Sequence, residues 1–320
     1  MDFKLSLAPI QGITDYNFRN LFHKHFSGVD TFYIPYLRID KKLEVKPNKL
    51  KDVLPEFNEN IPVVPQIMVN TTEAFLFATQ LLTDYGYTEV NWNLGCPYPM
   101  VTNRKLGAGL LPHHETICSI LDEVIEKSGI SISIKMRSGL TDNSELEKII
   151  PKLNTYPLSE IIIHPRYAKE LYKKNADSEL YSKCLNLSTH KLAYNGDISS
   201  IETFKRITQY TGNTTHYMLG RGLISNPFLA AQIKEDNTDN IANNLNAFWN
   251  FESELFDAVS EKLSGNTQIV MRMATYWEYF SQSFTNSHKV YKRFKKAKNI
   301  DSYHAAIEFA KESEEWNIFQ

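Results

Sequence analysis

The feature that most constrains the fold is a regular alternation of short apolar runs with amphipathic stretches between residues 3 and 235. Apolar residues three and four positions apart predict helices at 15–26, 72–85 and 115–127. Eight strands that alternate with helices in this way predict a (β/α)8 barrel, an α/β TIM barrel. A doubly wound open sheet is the alternative, but the glycine-rich turn expected after its first strand is absent. The candidate strands lie at 5–8, 31–34, 63–68, 89–93, 131–136, 160–164, 191–194 and 216–219.

The pattern of apolar and polar residues changes after Phe228. A polar stretch at 234–240 separates the last predicted strand from segments that show helical periodicity only. Those segments, at 246–263, 269–284 and 301–315, predict a small helical bundle. We therefore expect two domains, a barrel over 1–236 and a helical domain over 237–320.

The number and spacing of the cysteines and the sequence of the N-terminus predict the cellular compartment. Three cysteines without CxxC or Cys/His ligand spacing indicate neither a disulfide framework nor a structural zinc, so a reducing cytoplasm is expected. The first residues lack the features of a signal peptide, and no apolar run reaches membrane-spanning length. His23 and His25 point to different helix faces and His113-His114 opens a helix, so no metal site is predicted.

The positive charge is concentrated near the C-terminus, although the net charge of the chain is only −2. Residues 289–298 hold six of the 35 basic residues and no acid. The basic positions 289, 292, 293 and 296 share one helical face and leave Val290 and Phe294 for packing. This segment is either a phosphate-binding surface with interleaved aromatic residues or an ordinary solvated helix face.

Side chains at the carboxyl ends of the predicted strands form the candidate site, because these ends meet at one mouth of a barrel. Each has a purely structural explanation when taken singly. The lysine could be a solvated residue at a strand terminus, the histidine a structural residue with its hydrogen bonds satisfied, and each glycine a turn former. Their recurrence from strand to strand predicts a site. They are Ala8, Pro9, Ile10, Gln66, Asn93, Cys96, Lys135, Arg137, His164, Arg166, Asn195, Gly196, Asp197, Gly220 and Arg221.

Two glycine loops after the last two strands, Asn195-Gly196-Asp197 and Gly220-Arg221-Gly222, are typical of phosphate binding in barrels. Lys135 inside the mouth needs a nearby anion or electron-rich ring if its ammonium group is to remain charged, and reduced flavin supplies such a ring. Gln66 and His164 would add hydrogen-bond donors to the flavin ring or to its phosphate, and the backbone of Ala8-Pro9-Ile10 would pass beneath the ring. Because a nicotinamide fingerprint is missing, a pyridine nucleotide is expected to visit only transiently.

Cys96 lies in Asn91-Trp92-Asn93-Leu94-Gly95-Cys96-Pro97, where a glycine hinge and a proline end a strand. A single cysteine is more often a small buried hydrophobe than a reactive group. Cys118 and Cys184 lie within predicted helices and are interpreted as structural.

Six short motifs follow one another along the predicted barrel. They are Asn93-Leu94-Gly95-Cys96-Pro97, Arg104-Lys105-Leu106-Gly107-Ala108-Gly109-Leu110-Leu111, Ser133-Ile134-Lys135-Met136-Arg137-Ser138-Gly139, Ile163-His164-Pro165-Arg166, Asn195-Gly196-Asp197-Ile198 and Met218-Leu219-Gly220-Arg221-Gly222. In this ordered set the sequence resembles the tRNA-dihydrouridine synthases, a flavin enzyme family, over the whole barrel. The helical segment agrees with the RNA-binding domain of that family in length and character, though less specifically.

The resemblance implies that reduced FMN delivers hydride to C6 of a uracil ring while an acid, Cys96, protonates C5. NADPH or NADH would re-reduce the flavin. Asn93 would contact the uracil edge, and Lys135 and Arg137 would stabilise charge on its carbonyl oxygens. The implied partner is tRNA, with ribosomal RNA left open, and a monomer suffices for the reaction.

A uridine must be extracted from folded RNA to reach a barrel mouth, so cations are expected away from the flavin. Two short segments depart from the family pattern beside the substrate path: Pro165 and Tyr167 flank Arg166, and Tyr98-Pro99 follows the cysteine motif. The expected RNA contacts are Arg104, Lys105 and Arg166 on the rim, Arg272 in the helical domain, and Lys289, Lys292, Arg293 and Lys296 in the basic segment.

Two other functions compete with this interpretation. An FMN barrel that reduces a free small molecule, such as a dihydroorotate dehydrogenase or an ene-reductase, would need no basic helical domain and should survive deletion of residues 240–320. A barrel kept as a non-catalytic RNA-binding scaffold would take up no FMN.

Overall fold

The computed structural model describes residues 3–39, 42–236, 241–313 and 315–316. Eight parallel strands close into a barrel in chain order, which confirms the predicted (β/α)8 architecture. The predicted strands are all confirmed, and the largest difference is that the second strand continues to Arg38. The strands are β1 (Lys4–Leu7), β2 (Thr31–Arg38), β3 (Val63–Met68), β4 (Glu89–Leu94), β5 (Ser131–Arg137), β6 (Ile161–His164), β7 (Leu192–Asn195) and β8 (His216–Leu219).

Amphipathic helices surround the barrel and bury the apolar faces that their periodicity predicts. In the fifth of them Ile117, Ile120, Leu121 and Val124 are buried, and Gly129 ends it in the left-handed region at φ 62°. The helices of the barrel are α1 (Tyr16–His25), α2 (Pro47–Leu50), α3 (Thr72–Asp84), α4 (Pro99–Thr102), α5 (His114–Ser128), α6 (Ser144–Leu153), α7 (Ser178–Leu187), α8 (Ile201–Thr208), α9 (Arg221–Ser225) and α10 (Leu229–Glu235).

The C-terminal part is helical, as predicted, and consists of α11 (Ile241–Lys262), α12 (Asn266–Phe280), α13 (Ser287–Lys296) and α14 (Ile300–Ser313). The helix expected to reach residue 284 ends at Phe280, where a 3₁₀ turn follows. The expected domain boundary falls at residues 237–240, which lie outside the described residues. In the described ranges no helix combines the length and apolarity needed to cross a bilayer.

The helical domain packs against α1 through a shared aromatic core. The ring of Phe251 in α11 lies 5.5 Å from that of Phe18 and 5.1 Å from that of Phe26. An ion pair of 2.7 Å between Lys24 and Glu254 lies beside this contact. The largest cluster of buried apolar side chains runs without a break from the barrel helices into the bundle, so α1 depends on the bundle to cover it.

A bulge interrupts the pairing of β2 with β3. Ile34 pairs with Pro65 and Leu37 with Ile67, so Pro35 and Tyr36 together lie opposite Gln66 alone. Proline has no N–H to donate to the ladder, which explains why the pairing breaks here. Such a bulge bends the strand and redirects the side chains that follow it.

Candidate active site

A cavity of about 710 Å³ opens at the carboxyl ends of the strands. Its wall comes from β1, β5, β6, β7 and β8 and from the loops that follow them. Gln282 and Ser283, which follow α12, also line it, so the helical domain contributes to the cavity. Ten of the eleven residues expected to bind a cofactor lie on this wall: Ala8, Pro9, Ile10, Lys135, His164, Asn195, Gly196, Asp197, Gly220 and Arg221.

The two glycine loops pack directly on each other at one end of the cavity. A Cβ on Gly222 would lie 2.2 Å from the carbonyl oxygen of Ile198, so only glycine permits this approach. A Cβ on Gly196 would lie 2.6 Å from Cβ of Ala176. Glycine therefore lets both loops pack closely at the wall of the cavity, and backbone N–H groups in such loops suit a phosphate.

Asp197 links three strand ends through its carboxylate. Its Oδ2 accepts hydrogen bonds of 2.7 Å from Arg166 Nη2 and from the backbone N–H of Ala176, and Oδ1 accepts one of 3.4 Å from Arg221. The backbone of Asp197 adopts φ 45°, a conformation that non-glycine residues rarely hold. Its carboxylate thus orients two arginines rather than meeting an anionic ligand itself.

The expectation that Arg166 lies on the rim is wrong. Arg166 belongs to the loop that follows β6, but its side chain is 1% exposed because it turns inward to the ion pair with Asp197. Arg104 and Lys105 are exposed on the loop after α4, in agreement with a rim position.

Hydrogen-bond donors at the cavity end of β5 and β6 outnumber their acceptors. Nε2 of His164, Nη2 of Arg137 and two guanidinium nitrogens of Arg166 are buried without a partner among the described residues. Burial, with Arg137 and Lys135 adding to it, lowers the pKa of His164 well below its ordinary value, so the imidazole is neutral. This donor set suits an anionic or electron-rich ligand.

Lys135 lines the cavity with its ammonium group surrounded by protein. Burial, reinforced by the Arg137 guanidinium, lowers its pKa to about 7, against a weak opposing influence of Cys96. The lysine is therefore poised between its charged and neutral forms near neutral pH, and an anion bound beside it would favour the charged form.

Tyr172 is a site residue that the sequence interpretation missed. Its ring lies at the cavity wall, 4.0 Å from the Arg221 guanidinium carbon, 5.1 Å from that of Arg137 and 5.7 Å from that of Arg166. Such cation–π contacts hold guanidinium groups of like charge near one another. No local pattern marks this tyrosine, which lies in the irregular loop between β6 and α7.

A chain of side-chain amides crosses the barrel interior below the mouth. Asn91 donates to Ser133 Oγ at 3.0 Å, Gln66 to Asn91 Oδ1 at 2.7 Å and Asn93 to Gln66 Oε1 at 2.7 Å. Gln66 is fully buried and is the one expected cofactor residue that does not line the cavity. Asn93 Oδ1 accepts the N–H groups of Gly95 and Cys96, both at 3.0 Å, so the chain of amides fixes the cysteine loop.

Cys96 is half-buried in the loop after β4, on the side of the mouth opposite the glycine loops, and it does not line the cavity. The turn Gly107–Leu110 holds it in place, because Ala108 N–H donates to the Cys96 carbonyl at 3.1 Å. Burial raises the pKa of the thiol above its ordinary value, although Tyr36, Arg137 and Lys135 act in the opposite direction. The thiol is therefore protonated at neutral pH and can donate a proton.

The other two cysteines lie in helices, as expected. Cys118 is half-buried in α5, and Cys184 is fully buried in α7, where burial raises its pKa to about 12. Within the ranges that the structure describes, no three His, Cys, Asp or Glu side chains are grouped so that they could hold a metal ion.

The two segments that depart from the family pattern lie beside Cys96 and Arg137. Tyr98 is 53% exposed next to Cys96, and Pro99 begins the short helix α4. Pro165 is buried, and the carbonyl of Tyr167 accepts a 3.1 Å hydrogen bond from Arg137, so this loop helps to position a site arginine.

The basic segment forms the exposed face of α13. Val290 and Phe294 are fully buried, as the periodicity predicts, and the Phe294 ring stacks on Trp277 with centroids 3.7 Å apart. The Arg293 guanidinium lies 3.8 Å from the Phe309 ring. The expected RNA-contacting residues Lys289, Lys292, Arg293 and Lys296 are all exposed.

Arg272, expected to contact RNA, links α12 to the loop after β1. It donates to the Gly12 carbonyl and to the Tyr276 hydroxyl at 2.6 Å, and forms an ion pair with Asp15 at 3.6 Å. The sequence does not reveal that this loop lies against α12, and a contact of Arg272 with RNA stays a prediction.

Comparison with known proteins gives matches in sequence and in fold. The profile of the family described as Dihydrouridine synthase (Dus) matches residues 6–316. The chain is 26% identical to tRNA-dihydrouridine synthase B of Pasteurella multocida (strain Pm70) over 227 residues, 71% of this chain and 67% of that protein. It is 28% identical to tRNA-dihydrouridine(16) synthase of Neisseria meningitidis serogroup A over 239 residues, 72% of this chain and 71% of that protein.

Among solved structures, morphinone reductase in complex with tetrahydroNAD superposes with a TM-score of 0.53 at 11% identity, covering 73% of this chain and 86% of that one. Histamine dehydrogenase from Rhizobium sp. 4-9 gives a TM-score of 0.55 at 11% identity, covering 73% of this chain and 46% of that one. At such identity the likeness concerns the barrel fold alone.

Proposed function

Because the chain belongs to the dihydrouridine synthase family, we propose that it reduces a specific uridine in tRNA to 5,6-dihydrouridine, with FMN as cofactor and NADPH or NADH as the transient reductant. The observation that carries this proposal is the composition of the mouth. A cavity with paired glycine loops and unpartnered donors lies on one side, and a protonated thiol on a rigid loop lies on the other.

The residues of the cavity suit FMN. The loops at Gly196 and Gly220 would hold the phosphate with Arg221, and the backbone of Ala8-Pro9-Ile10 would lie against the ring. Lys135 would meet the electron-rich edge of the ring, and His164, neutral and with a free Nε2, would add a hydrogen bond. Reduced FMN supplies the hydride that C6 of the uracil receives.

The remaining chemistry belongs to the chain. Cys96 Sγ–H gives its proton to C5 of the uracil and leaves a thiolate, which takes a proton back from solvent. Arg137, buried beside Tyr172 and with one nitrogen that has no partner among the described residues, would stabilise charge on a uracil carbonyl oxygen. Asn93 holds the thiol in place through the N–H groups of Gly95 and Cys96.

The RNA would be held away from the cavity. Exposed cations on α13 and at Arg104 and Lys105 are suited to backbone phosphates, and the exposed Tyr98 offers a flat surface beside the mouth. A uridine that leaves its stack would then enter between Cys96 and the cavity.

The decisive experiment substitutes Cys96→Ala. Cells that lack the gene are complemented with wild type or variant, and dihydrouridine in their tRNA is measured by nucleoside mass spectrometry. Because the thiol acts as general acid, we expect the variant to form dihydrouridine at least ~100-fold more slowly. Its yellow flavin spectrum should persist, because Cys96 does not line the cavity.

Cys118→Ala is the matched control, since Cys118 is another half-buried cysteine but lies in α5 on the outside of the barrel. It should retain wild-type dihydrouridine levels. Undiminished dihydrouridine in Cys96→Ala, or loss of its flavin, would show that the role of Cys96 is misassigned. A wild-type protein that takes up no flavin would contradict the proposed function altogether.

A further inference from the structure

The bulge in β2 brings a second side chain to the cysteine loop. Pro65 of β3 pairs with Ile34 of β2, and the next residue of β2, Pro35, lies in the bulge beside Tyr36, where the ladder skips one residue. In an unbroken strand, side chains alternate strictly between the two faces. The extra residue therefore changes the direction of Tyr36 relative to the rest of β2.

Tyr36 contacts Cys96. Both side chains are half-buried and pack in one small cluster with Met68, Val101 and Leu106, separate from the main core. The two groups are also coupled electrostatically: the Tyr36 hydroxyl lowers the pKa of the Cys96 thiol and Cys96 raises the pKa of Tyr36, which is the effect of a hydroxyl that lies beside the sulfur. Burial, followed by the influence of Cys96, raises the pKa of Tyr36 to about 12, so the phenol stays protonated and is available as a donor.

We propose that Tyr36 is a positioning residue for the proposed reaction: its hydroxyl donates a hydrogen bond to Cys96 Sγ, fixes the direction of the thiol and stabilises the thiolate left after proton transfer. This inference rests on the proposed function for its chemistry, but the Tyr36–Cys96 contact itself does not depend on it. The bulge at Pro35 is then a functional feature of the barrel rather than an irregularity.

The other charged and titratable groups around Tyr36 and Cys96 come from β5, from Tyr98 and from the end of β2. Lys135 and Arg137 in β5 and the backbone N–H of Tyr98 also favour the thiolate. Arg38 in β2 and the Tyr98 hydroxyl act on Tyr36. Of the side-chain groups that favour the thiolate, Tyr36, Lys135 and Arg137, the Tyr36 hydroxyl is the one that a single substitution removes with little change in volume.

The test measures how fast iodoacetamide alkylates Cys96 as a function of pH, by mass spectrometry of the peptide that contains it, in the purified flavoprotein. A hydrogen bond to the thiolate lowers the pKa of the thiol, so Tyr36→Phe should move the alkylation midpoint upward by about half to one pH unit. At a fixed pH below the midpoint, alkylation should slow by ~3- to 10-fold. The flavin spectrum serves as the check on folding.

In the uridine reaction, Tyr36→Phe should lower kcat and leave KM for tRNA unchanged, because Tyr36 acts through Cys96. The alkaline limb of the kcat profile should move upward with the alkylation midpoint. Tyr87→Phe is the matched control, since Tyr87 is also half-buried and its hydroxyl donates to the Val53 carbonyl at 3.0 Å, away from the mouth.

An alkylation midpoint in Tyr36→Phe equal to that of wild type overturns the inference, whatever the activity. A midpoint that moves supports the hydrogen bond even if wild-type protein forms no dihydrouridine, so the failure of the proposed function would be visible separately. An equal shift in Tyr87→Phe would also overturn the inference, because it would show that the midpoint responds to general destabilisation.

Discussion

Lys135 shows how the site is prepared for a ligand at the scale of one residue. Its ammonium group is held among cations rather than carboxylates, and burial lowers its pKa to about 7. An isolated protein gains nothing from such an arrangement, since a buried unpaired charge is costly. The cost is offset when an electron-rich group binds beside the lysine, so the site favours its ligand at the expense of the stability of the free protein.

Lys135→Met should reveal this cost. The pKa of a lysine in the unfolded chain is about 10.4. Between that value and about 7 the unfolded state holds a proton that the folded state has lost, so the free energy of unfolding of the flavin-free protein should rise with pH in this window. The methionine variant should lose this part of the pH dependence and bind flavin more weakly.

Urea unfolding of the flavin-free proteins at several pH values in this window measures the effect. Parallel pH dependences in wild type and variant would contradict the lowered pKa of Lys135.

Single residues also show what the sequence can predict. The roles of Lys135 and His164 at the site were predictable because each lies near the carboxyl end of an apolar strand, and these strand ends meet at the mouth of a barrel. The burial of Arg166 depends on its contact with Asp197, 31 positions away, and no local pattern encodes that contact. Tyr36 was missed for the same reason, although Pro35 in an apolar strand was a signal of irregular pairing.

At the scale of elements, the cysteine loop depends on the turn Gly107–Leu110 that covers it. Gly107 adopts φ 54°, and a Cβ there would lie 2.8 Å from Cβ of Cys96 and from its carbonyl oxygen. The turn therefore packs tightly against the backbone of Cys96, and glycine is required both for the backbone angle and for the close approach.

Gly107→Ala should displace Cys96 and lower dihydrouridine formation by ~10-fold or more, because misplacement of a reacting group is costly in rate. Flavin binding should persist, since Gly107 does not line the cavity. Gly129→Ala is the control: Gly129 has a similar φ of 62° but nothing within 4 Å of its would-be Cβ. It should cost about 1 kcal/mol of stability and leave the activity unchanged.

Steady-state rates and thermal melts of both variants check this. Equal losses of activity in the two variants would show that backbone strain, and not the contact with Cys96, is responsible.

Within the helical domain, a carboxyl group is buried under the basic helix. Glu252 of α11 accepts hydrogen bonds from the Tyr303 hydroxyl and, at 3.3 Å, from Trp277 Nε1. Trp277 in turn stacks on Phe294 of α13. Burial raises the pKa of Glu252 to about 7 despite these hydrogen bonds.

Glu252→Gln should make the helical domain less sensitive to pH. An unfolded glutamate titrates near 4.3, so between about 4.3 and 7 the folded state keeps a proton that the unfolded state has released. The free energy of unfolding of wild type should therefore fall as pH rises through this window. The glutamine variant should show a flatter dependence and be the more stable protein above about pH 7.

Urea unfolding followed by tryptophan fluorescence, at about pH 5 and pH 8, measures the difference. A steeper pH dependence in the variant than in wild type would rule out the raised pKa.

At the scale of the whole molecule, the bundle is structurally part of the barrel. α11 and α12 cover α1, and Arg272 joins α12 to the loop after β1. Deletion of residues 240–320 would expose Phe18 and Phe26 and remove part of the cavity wall, so lost activity would not show that RNA binding is needed. Substitutions on the exposed face of α13 distinguish RNA from small-molecule substrates better.

Lys292→Gln with Lys296→Gln should weaken tRNA binding by neutralising phosphate contacts without altering the fold, since both side chains are exposed. The slope of log K against log salt should become shallower by roughly 1.5 to 2, and reduction of the flavin by NADPH should be unchanged. Lys183→Gln, an exposed lysine of α7, is the control.

Binding titrations over a range of salt concentrations measure the slopes. A double variant with the wild-type slope would place the RNA elsewhere.

The fold as a whole was more predictable than its contacts. Strand and helix periodicity is local, so the barrel and the bundle were both expected from the sequence, and Val290 and Phe294 were assigned to the buried face of α13. How the bundle sits on the barrel was not, because the packing of Phe251 on α1 and the contact of Arg272 with Gly12 join residues more than 200 positions apart.

The placement of Gln282 and Ser283 in the wall of the cavity has a consequence for how such a chain diverges. Ser283 Oγ donates to the Ser225 carbonyl at 2.6 Å, and Gln282 accepts from Ser225 Oγ at 3.1 Å, so the seam between the two halves runs through the pocket itself. In a chimaera whose last 80 or so residues came from a distant homologue, the contacts between this turn and Ser225 would not match, and the wall of the pocket would change shape. New RNA preferences are therefore expected to arise by point changes on the outer faces of the bundle, and not by recombination of intact modules.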